Sequence, residues 1–263
     1  MARKLRHAPV YFAIVQARFN AITALDAYVP AIQEKLRKQG YPDFQKTMLA
    51  TFNLNLGNPA EGGPPQVPVV QTARYLFSDM DRTAGFLLEQ GALSYQTTNY
   101  DTYEAFSAAF LEGLVTVHEA VALSYTDRIG VRYLDAVYPG ENEDLSHHLN
   151  GSVLGLYAAL DGQLVHSFSE TAVKAGDIQI VARTIIQEGE VGFPPDLPPG
   201  HLLLHERFRT LKGVHAILDT DCSQERRTSF NLDHVRERLS SIHMKVEKSF
   251  RATVTPHALQ SWE

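Results

Sequence analysis

From Tyr125 to Tyr138 the chain reads Tyr125-Thr126-Asp127-Arg128-Ile129-Gly130-Val131-Arg132-Tyr133-Leu134-Asp135-Ala136-Val137-Tyr138. β-Branched and aromatic residues recur through this run with no helical spacing, so it is a long strand, and a strand obliges the chain to build a sheet around it. Successive side chains of a strand point to opposite faces. One face holds Asp127, Ile129, Val131, Tyr133, Asp135 and Val137. The other holds Arg128, Gly130, Arg132, Leu134, Ala136 and Tyr138. The first is apolar in its middle and is expected to lie under a helix. The second sets two guanidiniums on either side of bare backbone at Gly130. Guanidinium forks bind carboxylates and phosphates in a defined plane, so this face is a candidate cradle for a small anion. It also suits ion pairing with acids on neighbouring strands, or a subunit interface built on Arg128, Arg132 and Tyr138, because arginine and tyrosine are enriched in interfaces.

The rest of the chain supplies the partners. Val10 to Asn20 alternates as a strand. A helix follows, with Thr23 at its N-cap, Leu25, Val29, Ile32 and Leu36 on one face, Pro30 bending its first turns and Gly40 at its stop. Strands are expected at 46–56, 68–78, 83–89 and 92–97, with a Gly/Pro-rich loop at 57–65. A long helix at 100–121 carries Tyr103, Phe106, Phe110, Leu114 and Val117 at helical spacing. After Pro139-Gly140, strands are expected at 150–160 and 163–173 around an Asp161-Gly162 hairpin, then at 177–187, 201–210 and 213–220. A helix from 232 to 250 is capped by Asn231, and Thr255-Pro256 opens a last short helix that docks Trp262. These elements give the α+β class: residues 1–140 and 141–263 read as two related halves, each a mostly antiparallel sheet with a long helix packed on one face. Phe86 to Glu89 matches Ala216 to Asp219, and in the helices after them Asp101, Tyr103, Phe110 and Leu114 fall over Asp233, Val235, Ile242 and Val246, so an internal duplication is one reading. Tandem ferredoxin-like units are the form it suggests.

Composition narrows the functions. Hydrophobic residues make up 44% and charged residues 21%, and the net charge is −6. That balance is ordinary for a globular protein and unfavourable for broad nucleic-acid or anionic-membrane binding, both of which need a positive field. No apolar run approaches the roughly 18 residues that span a bilayer, and no signal peptide is expected. The single Cys222 precludes an internal disulfide or a cysteine-based zinc cluster, and a reducing cytoplasm is the expected compartment.

No phosphate loop, nucleophile elbow or kinase signature is present. Eleven histidines invite a metal reading, yet no motif spacing supports one: His147 and His148 are adjacent, and His118-Glu119 lacks a second helical histidine. No metal and no cofactor are therefore expected. Asp79-Met80-Asp81 and Asp219-Thr220-Asp221 suit turns better than a magnesium site. Arg207 and Arg209, flanking Phe208 on the expected 201–210 strand, form the best local nucleic-acid patch. With His205 as a general acid or base they would suit an RNA-binding protein or a metal-independent ribonuclease.

The run Arg128-Ile129-Gly130-Val131-Arg132-Tyr133, with Pro9 to Asn20 and Phe250 to Trp262, resembles an uncharacterised, sporadically distributed bacterial family of about this length, whose core motif is Arg-Ile-Gly-x-Arg-Tyr. Position 135 is Asp here where that family often has Asn. The resemblance implies no activity. Sporadic distribution implies an accessory gene, as in phage defence or mobile elements. The expectation from the sequence is a non-catalytic protein-binding or assembly subunit, self-associating as a homodimer or joined to a protein partner. The RNA reading and a small-anion sensor on Arg128 and Arg132 are the alternatives.

Overall fold

The alternating runs pair antiparallel, and their pairing joins both parts of the chain into one sheet. In a computed structural model that describes residues 7–52, 69–157, 159–197 and 200–263, the strands are β1 (Val10–Phe19), β2 (Asp43–Phe52), β3 (Val69–Ser78), β4 (Ala84–Glu89), β5 (Ala92–Thr97), β6 (Tyr125–Val137), β7 (His166–Ala175), β8 (Ile178–Glu188) and β9 (Val214–Ser229). The helices are α1 (Leu25–Lys38), α2 (Tyr103–Val121), α3 (Leu145–His148), α4 (Gly151–Leu154), α5 (Glu206–Arg209), α6 (Leu232–Thr253) and α7 (Pro256–Ser261). The strand order is β2-β3-β4-β5-β1-β6-β9-β8-β7. The loop read at 57–65 lies outside the described residues.

The order has a logic. β1 lies beside β5, and β6 lies beside β9, so the runs β1–β5 and β6–β9 each set their first strand next to their last and meander outward from there, although β6 falls within residues 1–140. The long helices α2 and α6 follow β5 and β9 and pack on the same face of the sheet. Between α1 and α2 the strands β2 to β5 run as one meander with no helix among them.

The helices form where the apolar spacing and caps put them. Leu25, Val29, Ile32 and Leu36 bury one face of α1. Thr102 accepts the Ala105 N–H to open α2, and Asn231 accepts that of His234 to open α6. Thr255 accepts the Ala258 N–H, with Pro256 at the first position of α7. Under α1, α2 and α6 lies the main core, where Phe77, Phe86, Leu93, Phe110, Leu114, Val131 and Ile242 are buried. Gly113 sets how closely α2 approaches: a Cβ there would sit 2.2 Å from the Phe86 ring.

Four local expectations give way to tertiary packing. The described residues of 150–160 form no strand. Instead α3 and α4 deliver Leu145, Leu149 and Leu154 to a second apolar cluster with Val137, Ile186 and Leu218, and Gly162 joins no hairpin. Residues 201–210 form no strand either; most of the segment is irregular and ends in α5. Its apolar residues Leu202 and Phe208 are buried because they cover the face of the sheet opposite the helices, with Tyr11, Phe12, Leu134 and Ile217. The strand expected at 213–220 continues to Ser229, because β6 pairs with β9 along its whole length. Finally, Ala24 occupies the N-cap position of α1, and no side chain caps it.

Candidate functional site

β6 lies between β1 and β9 at the middle of the sheet. Its two faces separate as the alternation requires. Ile129, Val131 and Tyr133 enter the helix-covered core, while Leu134 and Ala136 join the cluster on the other face. Register with β9 sets Arg132 opposite Asp221 and Leu134 opposite Asp219. Register with β8 then sets Arg183 opposite Asp219. Directly opposed residues share a face, so three strands bring arginines and aspartates onto one surface.

That surface is a closed network. Arg132 grips Asp219 through Nε at 2.7 Å and Nη2 at 2.8 Å. The same guanidinium donates to Asp196 through Nη1 at 2.8 Å and Nη2 at 3.1 Å. Arg183 donates to Asp219 at 3.2 Å and to Glu170 of β7 at 2.6 Å. Asp219 is 0% exposed and Arg132 8%. Burial works against the charge on Arg132, but its hydrogen bonds to Asp219 and Asp196 outweigh that and raise its pKa further. The Arg132 hydrogen bonds hold Asp196 below the usual carboxylate range. Asp196 lies in the segment that crosses this face, so Arg132 fastens the cover to the sheet.

Arg128 lies flat along the strand. Its guanidinium occupies the space above Gly130, where a Cβ would sit 2.8 Å from Nη1. It reaches Gln16 of β1 at 3.4 Å, and Glu225 of β9 stands 4.0 Å away. Burial raises the pKa of nearby Asp221, and Arg128 and Arg132 partly offset this. Arg128, Arg132 and Arg183 are thus balanced by Glu170, Asp196, Asp219 and Asp221, which leaves no net positive field. The glycine between the arginines makes room for one of them.

The other residues singled out in the sequence lie elsewhere. Tyr138 follows β6, stacks on His215 with centroids 4.8 Å apart, and donates to the Leu211 carbonyl at 3.3 Å. Arg207 lies on Phe208 and donates to the Ala8 carbonyl at 2.7 Å, tying α5 to the start of β1. Arg209 is exposed at the end of α5, so the two arginines do not flank an aromatic on a strand. His205 caps α5 by accepting the Arg207 N–H. Asp79 accepts both the backbone N–H and the hydroxyl of Thr83, as a turn residue does. Cys222 is buried, and burial with Asp221 beside it pushes its thiol up to about 12, which makes it inert at neutral pH.

Nothing in the sequence pointed to Asp196 as a partner of Arg132, or to Arg183 and Glu170 as members of the same network. Sequence reasoning noted Asp135 among apolar neighbours but not the outcome. Asp135 is 3% exposed, and burial alone raises its pKa to about 8. It also missed that Glu143, His148 and His257 converge, with three metal-ligating atoms within 4.8 Å of one another.

No family model, curated protein or solved structure matches the chain.

Proposed function

We propose that the protein is a non-catalytic assembly subunit that binds a second copy of itself through the open edge of its sheet at β7. The observation that carries this reading is the state of that edge. β7 is ten residues long and pairs with β8 in unbroken register. It contains neither proline nor bulge, devices that commonly blunt an edge. Phe168 is 57% exposed and Val173 49%, and they lie on opposite faces of the hairpin. An exposed edge of this kind extends by main-chain pairing with an added strand. A two-fold axis perpendicular to the sheet through Ala172 sets Glu170 of each copy opposite Lys174 of the other, a complementary cross-strand pair. The guanidiniums of Arg132 and Arg183 are already engaged within the chain, which favours the β7 edge over that face as the interface.

Light scattering across a concentration series tests the reading. The wild type is expected to reach twice the mass of one chain, and a Phe168→Lys/Val173→Lys variant to remain at the mass of one chain. Both substitutions replace exposed side chains, so the fold is spared. A wild type that stays monomeric over the series rules the assembly out. Along with the resemblance to a sporadically distributed bacterial family, this supports an accessory component of the cytoplasm, of the kind found in phage defence or mobile elements. No described helix is long and apolar enough to cross a membrane. The shared plan of first strand beside last strand, followed by a long helix, supports descent of the two parts from a duplication.

A further inference from the structure

We propose that Glu143, His148 and His257 form a binding site for a divalent transition-metal ion of the zinc type. The three residues come from the segment before α3, from α3 itself and from the first turn of α7. His148 Nε2 lies 2.8 Å from Glu143 Oε2, and His257 Nε2 lies 2.9 Å from Glu143 Oε1. All three donor atoms fall within 4.8 Å of one another. A tetrahedral ion with bonds of about 2.0–2.2 Å to histidine nitrogen and carboxylate oxygen separates its ligand atoms by about 3.3 Å. Small rotations of the side chains reach that spacing. Two imidazoles and a carboxylate are the donor set that zinc accepts, with a fourth position left for water. Here that position faces solvent, because the His257 side chain is 49% exposed while that of His148 is 4% exposed.

The site is built, and not an accident of surface side chains. His148 is buried among apolar residues, with its ring 6.3 Å from that of Trp262. Its other nitrogen, Nδ1, is buried with no partner among the described residues. The backbone on both sides is tied together. Thr255 N–H donates to the His148 carbonyl at 2.9 Å, its hydroxyl donates to the His147 carbonyl, and Leu149 bridges to Val254. The elements that carry the ligands are therefore fixed against each other before any ion arrives.

Titration of the whole protein with zinc chloride, followed by calorimetry and by the fluorescence of Trp262, the only tryptophan, tests the assignment. One equivalent is expected to bind and to change the fluorescence. Cobalt substituted for zinc should give the visible absorption of a tetrahedral N/O site. His257→Ala alters an exposed ligand, and Glu143→Gln keeps a hydrogen-bonding group between the histidines while removing the carboxylate. Each is expected to weaken binding by more than the about 10–100-fold lost when only a supporting group is removed. Absence of stoichiometric binding by the wild type, or affinity unchanged in both variants, overturns the site.

Discussion

Replacing Arg132 with alanine is expected to destabilise the protein by about 3–5 kcal/mol, the cost of leaving a buried charge without its partner. Asp219 is wholly buried and would keep only the 3.2 Å contact from Arg183. Asp196 would lose both of its bonds to the same guanidinium. The segment carrying Asp196 should then loosen from the sheet, so cleavage by a dilute protease should begin between 189 and 200 before the chain unfolds globally. Arg132→Lys should recover little, because one ammonium cannot reproduce a planar fork that serves two carboxylates. Removing both buried charges, in Arg132→Ala/Asp219→Ala, should cost less than the two single losses added together. Urea denaturation of the wild type and these variants measures all of this. A loss below about 1 kcal/mol for Arg132→Ala, the range of exposed ion pairs, would mean that the network is ornamental.

Asp135→Asn is expected to stabilise the protein at neutral pH by about 2–4 kcal/mol, since each tenfold change in proton affinity between the folded and unfolded chains is worth about 1.4 kcal/mol. Burial alone raises the Asp135 carboxyl to about 8. Below about pH 4 the folded and unfolded chains both hold the proton, and the aspartate carries no penalty. As pH rises from there, the unfolded chain ionises while the folded chain does not, so stability drains away until the folded carboxyl also ionises near pH 8. Asparagine has no proton to lose, so the gap between variant and wild type should open between pH 4 and pH 8 and then level off. Denaturation at pH 5 and at pH 8 measures it. A gap of the same size at both values would assign the effect to packing and not to ionisation.

The period-two signal of β6 was legible because it depends on backbone geometry alone, and it divided the core residues from the arginines correctly. The capped helices α6 and α7 were legible for a similar reason: Asn231 and Thr255 act on amides three residues away. What could not be read were choices made by distant parts of the chain. Leu202 and Phe208 sit in a run that looked like a strand, yet they are apolar because they cover a sheet face, not because they join a ladder. Leu154 likewise sits in a helical turn and not in a strand, because it joins the apolar cluster of Val137, Leu145, Ile186 and Leu218. The partners of Arg132 come from β9 and the covering segment, and β7 and β8 complete the network through Arg183, so nothing adjacent to residue 132 announces that its charge is spent. Glu143 and His257 lie 114 residues apart, and no spacing rule links them.

Amide hydrogen exchange along β7, compared between dilute and concentrated protein, tests the proposed assembly most directly. The β7 amides facing away from β8 are expected to become protected as concentration rises, and Phe168→Lys/Val173→Lys to abolish the change. Exchange in β7 that is fast and independent of concentration would contradict it.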